Sequence, residues 1–396
     1  MGGLFAALLL RRLGWDVHVF ERVGSELAGR GAGIVTHPVL DQAMRRCGIE
    51  DLRELGVPIR ARRIYDREGR VVAEHARPQI ATSWDRLFGL LRGAFPDTNY
   101  HSGRQLTGIE ESGGGTRVTA RFTDGRAEEG DLLVAADGFR STARALLLPG
   151  TTPRYAGYVG WRGLLREADM PPALHAEIFA RFIFYLPPGE QIIGYPVSGP
   201  GNDLRPGHRR YNFVWYRPTS EAEGLPRLLT DDTGKRHQMS IPPPLISRAA
   251  LEGLRADAER LLPPQFAQML RLCPQPFLQP IYDLITPRMA VGRVALLGDA
   301  AFIARPHVGA GVSKAAQDAM ALVDALEAAG DDVPRGLAAY EKARHPVNAR
   351  IVRHAQQLGT CMTYEGMGEE ERRMQAHTRD PAVVLAGTAV LDFLEA

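Results

Sequence analysis

The chain has 396 residues, 44% of them hydrophobic, and its 48 Lys and Arg nearly balance 46 Asp and Glu for a formal charge of +2. So even a balance argues against a nucleic-acid or membrane surface as the main partner and for a small molecule. Cys47, Cys273 and Cys361 are widely spaced, without a Cys-x-x-Cys or a histidine cluster, which argues against a disulfide framework or a metal site and fits a reducing cytoplasm.

The opening "MGGLFAALLLRRLGWDVHVFER" predicts an apolar helix from Gly3 to Leu13 and a strand from Asp16 to Phe20, closed by Glu21. Gly2 to Leu10 has no basic segment before it and no small-residue cleavage site after it, and is about half a membrane span, so it reads as a core helix. The loop "AGRGAGI", with Gly31 and Gly33, lets backbone approach a ligand. Together these form half of a nucleotide-binding unit. Its usual first strand would stand before Met1, so the start is expected to be set too late or the chain truncated.

A helix is predicted from Trp84 to Phe95, with Leu87, Leu91 and Phe95 on one stripe. "TRVTARFTDGRAEEGDLLVAADG" alternates, turns at Asp124-Gly125 and ends in a continuous apolar strand, Leu132 to Ala136, of the kind buried in parallel sheets. Asp137-Gly138, Ser141 and Arg144 follow, a pattern that also fits an ordinary capped turn.

From Tyr155 to about Pro218, aromatic-rich strands punctuated by Pro and Gly predict a separate, mostly antiparallel sheet. In "YNFVWY", Tyr211, Phe213 and Trp215 share one face and Asn212, Val214 and Tyr216 the other. One face is expected to pack while the other lines a pocket. A helical stretch around Leu251 to Leu262 sits between proline clusters. After Met289 come a strand, a Gly/Pro loop and a long helix: Asp299 leaves the strand, Pro306 stiffens the loop, and Gly309 and Gly311 expose amides at the helix start, where negative charge is stabilised. Pro334 to about Leu358 reads as an amphipathic helix, and the tail beyond Met362 carries no motif.

The order of these motifs resembles the FAD-dependent aromatic hydroxylases of the para-hydroxybenzoate hydroxylase type, the group A flavoprotein monooxygenases, from Gly3 to about Leu358. The segments "YAGYVGWRGLL", "YPV" and "NFVWY", and the triplet Arg305-Pro306-His307, are similar to members that act on hydroxypyridines. The resemblance implies an α/β fold: a Rossmann-like FAD-binding domain in two parts (1–150 and 286–396, the latter with C-terminal helices), with an inserted antiparallel substrate domain (151–285) and the first strand missing. It implies that Gly3 and Glu21, 18 positions apart, hold the ADP half of FAD. Gly31, Gly33, Leu106, Asp137 and Gly138 join the cofactor site, Asp299 meets the ribitol, and Gly309, Ala310, Gly311 and Val312 border the isoalloxazine.

The same resemblance implies that NADH or NADPH visits transiently to reduce FAD, and that one oxygen atom from O2 attacks an electron-rich ring, a phenol or a hydroxypyridine. His307, with Pro306 beside it, is the acid–base candidate because an ordinary imidazole titrates near neutrality; the plainer reading is that it packs the loop. Tyr195, Tyr211 and Trp215 are substrate-pocket candidates, and Arg305 is a candidate to hold an anionic substrate or the pyrophosphate. Three departures stand out: Ala135 before the Asp-Gly motif, Phe302 where many relatives carry His, and Trp84 where many carry Arg. A homodimer is left open, and the alternatives are an FAD-less remnant or a flavin-dependent halogenase.

Overall fold

The computed structural model describes residues 1–24, 33–330, 332–362 and 369–394. The chain begins in α1 (Gly2–Arg12), β1 (Val19–Glu21), β2 (Gly33–Val35), α2 (Pro38–Arg46), β3 (Val57–Tyr65), β4 (Val71–Ser83) and α3 (Trp84–Ala94). It continues through β5 (Tyr100–Ser102), β6 (Leu106–Ser112), β7 (Arg117–Phe122), β8 (Ala127–Gly130), β9 (Leu133–Ala135), α4 (Thr142–Leu147), β10 (Arg154–Arg166) and α5 (Pro172–Ile178). Next come β11 (Arg181–Tyr185), β12 (Gln191–Val197), β13 (Arg210–Pro218), α6 (Gly224–Leu228), α7 (Arg248–Leu261), α8 (Pro264–Leu272) and β14 (Phe277–Ile285). The last third holds β15 (Ala290–Val291), β16 (Val294–Leu296), β17 (Phe302–Ile303), α9 (Gly311–Ala329), α10 (Val333–Leu358), α11 (Glu369–Thr378) and α12 (Pro381–Gly387).

Leu and Ala make α1 a strong helix former, and Arg11 and Arg12 in its last turn complement its negative end. Leu4 to Leu10 are all buried, as expected for a helix enclosed on every side. Its neighbours are α9, the parallel pair β1–β5 and the short sheet β15-β16-β9, in which β16 runs parallel to β9.

A nine-stranded sheet in the order β17-β14-β10-β13-β12-β11-β3-β4-β2 forms the other layer, antiparallel except for the β11–β3 pair. β2, β3 and β4 come from residues 33–83, a stretch that the sequence reading grouped with the cofactor segment. On the outer face Val159, Trp161, Leu165, Tyr211, Phe213 and Trp215 pack in one core with Leu254 of α7 and Phe266 of α8. That fixes the place of the helix expected around Leu251 to Leu262.

The inner face carries Tyr158, Ile193, Tyr195, Val214 and Tyr216, packed with Met362, Val384, Leu385 and Ala389 from the tail. The tail is fastened from both sides: Arg62 Nη1 donates to the Leu385 carbonyl at 2.8 Å, and the Ala389 amide donates to the His307 carbonyl at 3.1 Å.

Candidate active site

From Val294 to Ile303 every residue is buried except Asp299, whose side chain is half exposed. The loop that displays it is held from behind. Gly298 adopts φ +65°, and a Cβ there would come 3.2 Å from Ala315, so only glycine lets the loop lie this close to α9. Its amide donates to buried Asp318, which also accepts from Arg344 Nε and Asn348 Nδ2, both at 2.8 Å. From the other side Arg144 donates to the Ala300 carbonyl at 2.9 Å and to the Phe139 carbonyl at 2.9 Å, tying the Asp137-Gly138 turn to the Asp299 loop. Asp137 accepts from the Ala143 amide at 3.0 Å and Ser141 from Arg144 N at 2.9 Å, so both cap α4 and Asp137 acts first as a turn residue.

Lys314, in the first turn of α9, is not singled out by the sequence. Its side chain is fully buried, its Nζ lies 3.7 Å from Asp299 Oδ1, and it has no hydrogen-bond partner among the described residues. The start of α9 has no side-chain cap, Gly309 takes the left-handed φ of +61°, and a Cβ on Gly311 would meet nothing within 4 Å. Ala310 is buried and Val312 half-buried beside them.

At the other end, α1 starts close against β9 and the Asp299 loop: a Cβ on Gly2 would come 2.6 Å from Leu297 Cδ2, and one on Gly3 3.4 Å from Ala136. Close helix–strand packing is what the last glycine of a dinucleotide turn provides. Burial lowers the pKa of the Met1 amino group, while the Glu21 and Asp299 carboxylates raise it. Glu21 ends β1 and accepts from the Val23 amide at 2.9 Å, and the Arg104 amide, two residues before Leu106, donates to its carbonyl. Leu106 itself is half-buried at the edge of the α1 core. Open amides, two displayed acids and a buried amine whose hydrogen bonds are unfilled are the donor and acceptor set that a dinucleotide with ribose, ribitol and phosphate groups requires, so these residues fit FAD.

Gly33 has a different task. A Cβ there would sit 2.5 Å from the Tyr195 ring, and its carbonyl accepts the Tyr195 hydroxyl at 2.9 Å, so it seats Tyr195 on the inner face. Gly31 lies outside the described residues. Trp84 opens α3 and stacks on Phe88, with ring centres 4.9 Å apart.

Three expectations change. Tyr211 and Trp215 lie on the outer face, because the helices that cover that face pack against them. The Tyr211 hydroxyl donates to the Arg181 carbonyl at 3.0 Å, and Trp215 Nε1 to Glu190 at 2.7 Å. Arg305 is not free to hold an anion: it grips both carboxylate oxygens of Asp283 at 2.7–3.1 Å.

His307, finally, is not an ordinary imidazole. Burial pushes its pKa down to about 3, helped by the nearby Arg305 charge, so the ring is neutral. Nδ1 bonds Gln191 Oε1 at 3.0 Å, Nε2 accepts the Tyr158 hydroxyl at 2.8 Å, and the Tyr216 ring packs 4.4 Å away. Pro306, one residue earlier, uses its carbonyl to accept the Gly309 amide at 2.9 Å. The loop that carries the α9 amides is thereby pinned to the inner face of the sheet, and the two halves of the site meet there.

A fold of this kind with this pair of displayed acids defines an FAD-binding protein, and its likeness to known hydroxylases places the chain among the FAD-dependent aromatic hydroxylases of group A. A family model described as FAD binding domain-like matches residues 155–283, and one described as FAD binding domain matches 280–355. Among individual proteins, the chain is 35% identical over 325 residues to 2,6-dihydroxypyridine 3-monooxygenase of Paenarthrobacter nicotinovorans, covering 82% of this chain and 80% of that one. It is 30% identical to 3-amino-4-hydroxybenzoate 2-monooxygenase of Streptomyces cremeus, over 96% and 91% of the two chains. The solved structure of 2,6-dihydroxypyridine-3-hydroxylase from Arthrobacter nicotinovorans superposes with a TM-score of 0.85 at 30% identity, covering 96% of this chain and 93% of that one. HpxO of Klebsiella pneumoniae, solved with FAD and uric acid, gives 0.75 at 25%, over 98% and 95%. The protein is an enzyme with FAD as its cofactor. Among the described residues no helix is long and apolar enough to cross a membrane.

Proposed function

We propose that this chain hydroxylates a small electron-rich ring, a hydroxypyridine such as 2,6-dihydroxypyridine or a phenol, held between the inner face of the nine-stranded sheet and the Pro306–Val312 loop. The observation that carries the reading is the pinning of that loop to the sheet through His307, Tyr158 and Gln191, which brings a cofactor-holding loop to a face with partly exposed polar side chains. Residues 1–150 and 286–396 hold FAD between them, and residues 151–285, completed by strands from 33–83, supply the ring-facing sheet.

When bound, FAD supplies hydride acceptance from NADH or NADPH and activation of O2. The chain's residues do the rest. Asp299 and Lys314 would hold the ribitol and its neighbouring oxygens, Glu21 and the start of α1 would hold the adenosine end, and the amides of Gly309 to Val312 would serve the flavin ring. Neutral His307 fixes the Tyr158 hydroxyl and so sets the position of the loop; it does not take a proton at neutral pH. Tyr195 walls the ring side.

The test is purified protein with flavin absorption, whose NADH or NADPH oxidation is stimulated by such a ring and yields product heavier by one oxygen. Oxidation that no ring stimulates, or stimulation without hydroxylated product, would refute it.

A further inference from the structure

We propose that Arg162 and Asn212 form a substrate-recognition patch that selects a ring bearing an anionic oxygen next to a ring nitrogen over its all-carbon counterpart. The proposal rests on the ring-hydroxylase reading and sharpens it.

Side chains alternate along β10, so Tyr158, Gly160, Arg162 and Leu164 point to the inner face. Tyr158 is fully buried under the His307 loop, whereas Arg162 and Leu164 are partly exposed. The face therefore opens just past the edge of the loop that borders the cofactor. On β13, Asn212 stands opposite Leu164 on one side and opposite Tyr195 of β12 on the other, while Val214 stands opposite Arg162. Asn212 and Arg162 are thus diagonal neighbours on adjacent strands, within reach of one small ring.

The hydrogen bonding at this place is incomplete. Asn212 is fully buried, yet neither its amide nitrogen nor its amide oxygen has a partner among the described residues. Arg162 Nε is likewise buried and unpartnered, while Nη1 donates to Gln279 Oε1 at 2.6 Å. The guanidinium also acts on two neighbouring phenols of the same face, Tyr195 and Tyr216, whose pKa values burial raises and Arg162 lowers. No carboxylate lies within 4.0 Å of Arg162 among the described residues, whereas Arg209, Arg217 and Arg305 each hold one.

Buried polar groups are seldom left unmatched, and an amide with both ends open needs a donor and an acceptor side by side. A dihydroxypyridine monoanion that keeps its proton on the ring nitrogen presents that edge: the ring N–H donates to the amide oxygen, the adjacent oxygen accepts from the amide nitrogen, and the second, negatively charged oxygen serves the guanidinium. A phenolate offers the oxygen alone and leaves half of Asn212 unmatched, which is how a polar site discriminates against an analogue lacking one group. Leu164, partly exposed directly across from Asn212, puts the amide one side chain from the open part of the face.

The test uses the FAD-loaded protein and three probes: 2,6-dihydroxypyridine, resorcinol with the same two oxygens and no ring nitrogen, and 4-hydroxybenzoate. Dissociation constants are read from the perturbation of the flavin absorption. We expect the wild type to prefer the pyridine about tenfold or more, the cost of leaving one end of the buried amide unmatched. Arg162→Gln should weaken pyridine binding by a similar factor, and Arg162→Lys should recover part of it. Asn212→Leu should bring pyridine and resorcinol close to equal. Should Asn212→Leu lose its flavin, the two Arg162 variants decide. Arg162→Gln binding the pyridine as tightly as wild type, or wild type binding resorcinol or 4-hydroxybenzoate equally well, overturns the proposal while hydroxylation of any probe keeps the broader reading. If none of the probes binds and no ring stimulates oxidation, the broader reading fails and takes this one with it.

Discussion

The two faces of the nine-stranded sheet are drawn from alternate residues of the same strands, yet their chemistry is opposite. On the outer face Trp161, Phe213 and Trp215 are packed under α7 and α8, and the polar atoms of Tyr211 and Trp215 have partners. On the inner face Arg162 and Asn212 keep polar atoms unmatched, and a buried histidine stays neutral. Alternation lets one set of residues hold the sheet together while the other departs from full satisfaction, as ligand sites do.

The sharpest way to break that contrast is Trp215→Ala. Removing a fully buried indole should cost about 3–5 kcal/mol of stability, measured by urea denaturation, while protein that remains folded binds ring compounds with little change. If ring affinity collapsed with stability intact, the outer face would belong to the site. Next in size is Asp299→Ala, which should weaken FAD by about 1.5–3 kcal/mol, or roughly tenfold or more, read by flavin fluorescence titration with the unfolding transition unchanged.

His307→Gln probes the neutral imidazole. Its pKa of about 3 lies below the ordinary 6.5, so between those values the unfolded chain takes up a proton that the folded chain refuses. Stability therefore falls as pH falls through 6.5 toward 3, by up to about 1.4 kcal/mol per pH unit from this residue. The glutamine variant should show a shallower acid limb by as much as one proton; an unaltered slope would mean that the histidine is protonated in place. The smallest effect is expected for Tyr195→Phe, which loses the bond to Gly33 and about 0.5–1.5 kcal/mol of stability, visible as a modest shift in the thermal midpoint.

Much of the cofactor half is legible in the sequence because its signals are local. An acid leaving an apolar strand, a Pro-stiffened loop and glycines before a helix lie within Val294 to Gly311, and the structure keeps them contiguous. The ring half is less so. Alternation told which residues of β13 share a face, but not which face the His307 loop would meet, since that is decided by α7, α8 and residues 305–312, distant in sequence. This is why the sequence points to Tyr211 and Trp215 as pocket candidates although they lie on the covered face. Strand β14 was hidden by Pro280, which lies at the β10–β14 register shift next to Val159, where a proline is tolerated. Strand β4 is mostly exposed, and its Glu74, His75, Arg77 and Gln79 break up any apolar period that would mark it. The pKa of His307 and the unfilled hydrogen bonds of Lys314 depend on burial, which no single sequence displays.

The fastening of the Pro306–Val312 loop by the Ala389 amide has a consequence for the order of synthesis. A ribosome delivers the loop well before the tail that secures it, so the nascent protein holds its cofactor loop without that fastening until the last helical turns emerge. Removing the tail from α11 onward should therefore loosen that loop, read as weaker flavin retention in a chain that keeps Asp299 and Glu21.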